Sequence, residues 1–197
     1  MNKPAKRIFF LILIFVFNAL TADAQFLPLN AAGKCEATEV VVVEGFTKAV
    51  LYPNALKWLK GLTHVDGKLS AVEKDSIAGK ISGNFEFLVY AQSGILRKVA
   101  GSVSYHMQVE TKDGKYRYSF SDFVFHYYAQ DRKYKMVKTG KTKPLEEDEA
   151  MGWQKLWTDH RKGTQDRVST QVAELKTKII EVPKDVSVKA EEKKVEW

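Results

Sequence analysis

Apolar and polar positions alternate most regularly between Val99 and Tyr127, and this stretch predicts a long β-hairpin. Lys112-Asp113-Gly114-Lys115 places Asp-Gly at the centre, the signature of a two-residue type I′ turn. Taken literally, the turn pairs Thr111 with Tyr116, Val109 with Tyr118 and Met107 with Phe120 on one face, and Glu110 with Arg117 and Gln108 with Ser119 on the other. Beyond Phe120 the parity fails. Asp122 would fall on the apolar face, and burying an unpaired carboxylate costs far more than a local irregularity. One extra residue at Ser121-Asp122 restores the pattern, pairing Tyr105 with Phe123 and Val103 with Phe125, so a β-bulge is predicted there.

Other segments carry weaker signals. Residues 25–37 read as an irregular lead-in broken by Pro28, Asn30 and Gly33. Thr38–Glu44 is a β-branched run, read as a strand central in its sheet or buried on both faces. Leu51, Ala55, Trp58, Leu59 and Leu62 have helical spacing, with Pro53 either near the helix start or at a kink. Leu69–Lys74 and Ile77–Tyr90 read as strands around an Asp75-Ser76 turn, and Ile77, Ile81, Phe85, Phe87 and Val89 share one parity. Gly79 and Gly83 on that parity predict close approach of a helix, or a bend. Residues 130–144 read as a loop. A helix from about Asp148 carries Trp153, Leu156 and Trp157 on its sheet side, with the acidic run Glu146–Glu149 at its N-terminus. His160-Arg161-Lys162-Gly163 resembles a helix end, after which Thr164 would cap a second helix. Residues 182–197 read as a disordered tail. The order, strand, helix, four mostly antiparallel strands, helix, predicts an α+β class: a two-layer sandwich with a five-stranded sheet and helices on one face, a single domain over 38–181.

Composition narrows the classes. The chain of 197 residues is 45% hydrophobic and 12% aromatic, which excludes full disorder and collagen. One cysteine excludes a disulfide framework. Lys3, Lys6 and Arg7 precede an uninterrupted apolar run from Ile8 to Phe17, and Ala22-Asp23-Ala24 supplies small residues where a signal peptidase reads. Residues 1–24 are therefore read as a signal peptide cut before Gln25, too short in its apolar core to span a bilayer, which leaves no transmembrane helix after cleavage. Export to the periplasm, cell envelope or exterior follows. No cysteine follows the cut to carry a lipid anchor, and Cys35 is read as a passive thiol.

The chain also resembles a known family of exported proteins of Gram-negative bacteria, a domain of unknown function with a TATA-binding-protein-like (TBP-like) fold. The matching features run from Leu27-Pro28-Leu29 through Thr38–Val43, Leu51-Tyr52 and Lys57-Trp58-Leu59. Ala78–Gly83, Gly101–Tyr105, Asp113–Tyr118, Phe123 and Pro144-Leu145-Glu146 continue the series. Pro53 and the basic loop depart from the pattern. The resemblance implies the fold and an envelope location. It implies no activity, so no catalytic residue is carried over.

Candidate chemistry is sparse. His106 and His126 fall on the polar sheet face but about four residues apart along the strands, roughly 13 Å, too far for shared metal ligation. No nucleophile motif occurs. No metal or cofactor is therefore assigned, and no catalytic residue. The polar face, with Ser82, Asn84, Glu86, Ser102, Ser104, Glu110 and Ser119, lacks the apolar wedges of a minor-groove reader, so no nucleic-acid partner is expected. The binding candidates are Arg132, Lys133, Tyr134, Lys135, Lys138, Lys141 and Lys143 in the basic loop, which would suit an anionic lipid, a polysaccharide or an acidic envelope protein. The functional expectation is a non-enzymatic binding or accessory module of the envelope. The alternative is a small-ligand carrier or hydrolytic enzyme with a pocket between helices and sheet.

Overall fold

The computed structural model describes residues 27–62, 67–91, 98–149 and 151–182. The stretch 1–24 read above as a signal peptide and the tail from Pro183 lie outside these. Eight elements follow one another: β1 (Ala37–Val42), α1 (Lys48–Gly61), β2 (Gly67–Asp75), β3 (Lys80–Tyr90), β4 (Val99–Lys112), β5 (Lys115–Gln130), β6 (Met136–Pro144) and α2 (Gln154–Lys178). The α+β expectation holds, with six strands in the sheet instead of five. The order is β1-β5-β4-β3-β2, with β6 also paired to β5, and every pairing is antiparallel. β5 is long enough to serve two neighbours along one side, β1 against Lys115–Phe120 and β6 against Val124–Gln130.

The β4–β5 register follows the alternation. Thr111 faces Tyr116, Val109 faces Tyr118, Glu110 faces Arg117, and Val103 faces Phe125. The register shifts between Ser104 and His106, and Asp122 takes a φ of 57° at that point. The bulge keeps Asp122 in solvent and Phe123 in the core. The turn is not type I′, which needs positive φ at both central residues. Gly114 has φ 74° but Asp113 does not share the left-handed region. Tertiary contacts set this turn: the Lys48 N–H donates to the Asp113 carboxylate at 2.7 Å, and the Gly114 N–H to the Phe46 carbonyl at 2.8 Å.

One face of the sheet forms the core. Tyr105 sits at its centre, with ring centroids 5.1 Å from Phe123, 5.6 Å from Phe85 and 5.9 Å from Phe120. Its hydroxyl donates to the Gln171 side chain on α2, and burial pushes its pKa well above the usual tyrosine range despite that bond. Leu51, Ala55, Trp58 and Leu59 of α1 and Trp157, Val168 and Leu175 of α2 complete the layer. The lead-in contributes Leu27 and Cys35, tied by a bridge between Leu29 and Cys35. Burial pushes the Cys35 thiol up to about 11, with Glu146 adding to the shift, which suits a passive role.

Several expectations are corrected. β1 is an edge strand, not a central one, because the outer half of β5 beside it has no further strand to offer; Val40 is 58% and Val42 66% exposed. The turn before β3 runs through Ser76–Gly79, so Ile77 lies outside the strand and is 89% exposed. A Cβ on Gly79, which has φ 70°, would meet the Thr111 carbonyl at 2.5 Å and Lys48 of α1 at 2.9 Å, so this glycine does mark a close approach. Pro53 lies inside α1, not at its start. α2 runs unbroken through Gly163, and Thr164 donates its hydroxyl to the His160 carbonyl one turn back instead of capping a new helix. Trp153 precedes α2 at 70% exposure, and only Trp157 packs inward. The acidic run stands before the helix, where Glu147 pairs with Lys143 and Asp148 with Arg161.

Candidate functional site on the open sheet face

The opposite face of the sheet carries the other parity of each strand. β3 supplies Ser82, Asn84 and Glu86, β4 supplies Ser102, Ser104, His106, Gln108 and Glu110, and β5 supplies Arg117, Ser119 and His126. These side chains bind one another. Ser102 donates to Glu86 at 2.5 Å, the Ser104 hydroxyl lies 2.8 Å from His126 Nε2, and His106 Nδ1 lies 2.9 Å from Asn84 Oδ1. Arg117 pairs with Glu110 at 2.8 Å.

Lys138 closes this network from the side. It stands on β6, with β5 and β4 between it and β3, yet its ammonium reaches the Glu86 carboxylate at 2.6 Å. Three strand spacings of ~4.8 Å exceed what the two side chains span on a flat sheet, so the β5–β6 arm must curl over the face. Register shifts in both β4–β5 and β5–β6 supply the bend. Under the arm lies an open groove of about 420 Å³ lined by Gly67, Lys68, Glu86, Phe87, Leu88, Tyr128 and Lys138. Burial raises the Glu86 carboxyl, but hydrogen bonds from Lys138 and Ser102 outweigh it and hold the group below its ordinary range. Burial, then the Lys138 charge, lowers the His126 pKa against the opposing pull of Glu86. The lowered pKa favours the neutral ring, and the tautomer sets which partner donates in the Ser104–His126 contact.

Chemically, the arrangement offers a preorganised row of donors and acceptors across a curved surface. Ser104 and His126 form a nucleophile–base pair by distance. Among the described residues none holds the other ring nitrogen of His126, which a triad would require. Between α2 and the sheet lies a smaller pocket of about 140 Å³ lined by Phe125, Tyr127, Trp153, Trp157 and His160, among others. It is below the size of an ordinary small-molecule site.

Residues 38–126 match the model of a family described as a domain of unknown function (DUF4468) with TBP-like fold. Over that segment, a little under half of its length, the chain is similar to the DUF4468 family. Two solved structures share its fold. One is a TBP-like protein from Parabacteroides distasonis, with a TM-score of 0.51 and 18% identity over 78% of this chain and 98% of that one. The other is a DUF4468 family protein from Bacteroides ovatus, with a TM-score of 0.51 and 21% identity over 79% of this chain and 95% of that one. Among curated proteins none matches the chain.

Glu86, Ser102, Ser104 and His126 lie inside the matched DUF4468 segment, and Lys138 lies beyond it. The basic residues singled out from sequence do not form one patch, because residues 136–144 form β6 and strand parity separates them. Arg132, Lys133, Tyr134 and Lys135 sit at the exposed hairpin tip, where Asp131 accepts from the Lys133 and Lys135 amides at 2.8 Å. Lys138 joins the open face. Lys141 is exposed beside Gly140, in the irregularity opposite Tyr127. Lys143 is buried, paired with Glu147 at 3.0 Å, bonded to the Glu149 carbonyl and placed over the Trp157 ring. It is a structural cation, unavailable for docking. The polar parity of β3 and β4 was legible in sequence. The Lys138–Glu86 closure, across 52 residues, had no sequence signal.

Proposed function

We propose that the protein is a non-enzymatic binding or accessory module exported to the bacterial envelope, and that it holds a protein partner on its open sheet face. The observation that carries this reading is the groove under the β5–β6 arm, whose charged wall of Glu86 and Lys138, with Ser102 bonded to Glu86, is already ordered before any partner arrives. Preorganised side chains lose little entropy on binding. A protein partner is favoured over an anionic surface because the basic side chains are split between tip, face and core, which weakens any single electrostatic patch. Export is supported by the n-region, apolar run and small-residue site of residues 1–24.

The test uses a tagged chain from Gln25 onward, which contains every described residue, recovered from cross-linked native envelope at low and high salt. A stoichiometric protein retained at high salt, and lost with Ser104→Arg on the face, is expected. Lipid or polysaccharide recovered only at low salt would transfer the role to the hairpin tip, and an empty bait would overturn the reading. The exported form should begin at Gln25 when its N-terminus is sequenced. A second reading, hydrolysis, has the Ser104–His126 distance in its favour. Labelling of Ser104 by a fluorophosphonate, abolished by His126→Ala, would establish it.

A further inference from the structure

Of the three strands with an open edge, β1, β2 and β6, the two that end the strand order, β1 and β2, are built differently. β2 is defended: its register breaks between Ser70 and Glu73, Ala71 takes a φ of 49°, and Lys68, Glu73, Lys74 and Asp75 line it. Bulges and charges of this kind stop a sheet edge from recruiting another strand. β1 has no bulge, and its single charge, Glu39, is engaged by Tyr118 and Lys176. Its pairing with β5 runs without a shift from Ala37 to Val42, and from Val40 to Val42 its sequence is valine alone.

Its hydrogen-bonding polarity can be read from one contact. The Val43 N–H donates to the Gly114 carbonyl at 2.8 Å, in register with the β1–β5 ladder. In an antiparallel ladder hydrogen-bonded and non-bonded pairs alternate, so Glu39 and Val41 also spend their backbone groups on β5. The N–H and C=O groups of Thr38, Val40 and Val42 point the other way. The next outward N–H, of Glu36, is already bonded to the Pro28 carbonyl at 2.9 Å, so among the described residues the lead-in seals the edge up to Glu36. All three outward-facing residues are exposed.

We propose that β1 is a self-association edge, and that its occupant is β1 of a second copy of this chain. The case for a copy is the symmetry of the free groups about Val40. A two-fold axis through Val40 sets it opposite itself and sets Thr38 opposite Val42. Every outward N–H and C=O then finds a partner with no register slip. On the open face this joins Val40 to Val40 and Val42 to Thr38, making one apolar stripe from exposed valines that are isolated in the single chain. On the other face Glu39 meets Val41, so within Thr38–Val42 no like charges oppose, and Glu39 keeps its bonds to Tyr118 and Lys176. The two sheets become one, continuous across the axis, and the binding groove under each β5–β6 arm stays open. This proposal is independent of the partner reading above.

Sedimentation equilibrium and directed cross-linking of the chain from Gln25 test it. The wild type should dimerise with rising concentration, with no weakening at high salt, since Thr38, Val40 and Val42 carry no charge. Val40→Lys should raise the dissociation constant by about tenfold or more without changing the circular dichroism spectrum. Hydrogen-bonded antiparallel partners lie ~5.5 Å apart at Cα, within disulfide range. Val40→Cys should therefore cross-link under mild oxidation, and Val42→Cys, equally exposed but paired with Thr38, should not. A wild type that stays monomeric at several hundred micromolar (about 100-fold above a micromolar dissociation constant) would overturn the proposal and leave the edge to an extended segment of another protein. Equal cross-linking of both cysteine variants would overturn the two-fold register.

Discussion

A single residue decides how the long hairpin is built. Asp122 occupies the left-handed region at φ 57°, exposed, with its carboxylate accepting from the Ser121 hydroxyl at 3.0 Å. Asp and Asn tolerate this conformation because a short polar side chain can bond locally, whereas a β-branched side chain clashes there. Asp122→Gly should therefore leave stability nearly unchanged. Asp122→Val should cost roughly 1–2 kcal/mol. Urea melts of both variants check this, and equal losses would show that the bulge depends on the carboxylate and not on φ. The bulge was legible in the sequence because burying a carboxylate is costly enough to override strict alternation. The turn at Asp113-Gly114 was misread in type, although its register was right, because contacts from Phe46 and Lys48 set its backbone.

At the scale of elements, the errors share a cause. His160-Arg161-Lys162-Gly163 has the composition of a helix end, yet α2 continues to Lys178. Packing overrode propensity: His160 is buried and stacks on Phe125 at 5.4 Å, and Thr164 and Val168 bury the next turn. Gly163 falls on the exposed side, with nothing within 4 Å of where a Cβ would stand. Gly163→Ala should therefore stabilise the protein by up to ~1 kcal/mol. A rise in Tm of about 2–4 °C would register it, and a fall would show that the glycine serves an unseen contact. β6 was read as a loop for a related reason. Its Lys-rich sequence has low strand propensity, and it becomes a strand because β5 is long enough to offer it an edge.

For the molecule as a whole, pH reports on the packing. Burial lowers the His160 pKa against the opposing charge of Asp159, and His126 is lowered by burial and Lys138. A histidine whose folded pKa lies below its unfolded value of ~6.5 binds fewer protons folded than unfolded in the interval between them. Its contribution is therefore present above that value and is lost as pH falls toward the folded pKa. Stability should decline as pH falls through the unfolded value of ~6.5, and His160→Gln should flatten that slope. Parallel curves for wild type and variant would show that His160 does not carry the dependence. Glu86 and Glu39, both held below the ordinary carboxylate range, should add a second loss below about pH 4.5 as they protonate. For Glu39 the cause is its bonds to Lys176 and Tyr118.

The amino-acid order by itself determined the α+β class, the aromatic core face of β4 and β5, the hairpin register and the bulge. These follow from period-two alternation and the cost of burying charge, both of which act between residues near in sequence or paired across one turn. Only the tertiary structure decided that β1 is an edge, that α2 is one helix, and that the basic residues divide among tip, face and core. The Lys138–Glu86 closure belongs with these. Each depends on which neighbour a strand or helix finds after the chain has folded back on itself, and local sequence carries no record of that choice.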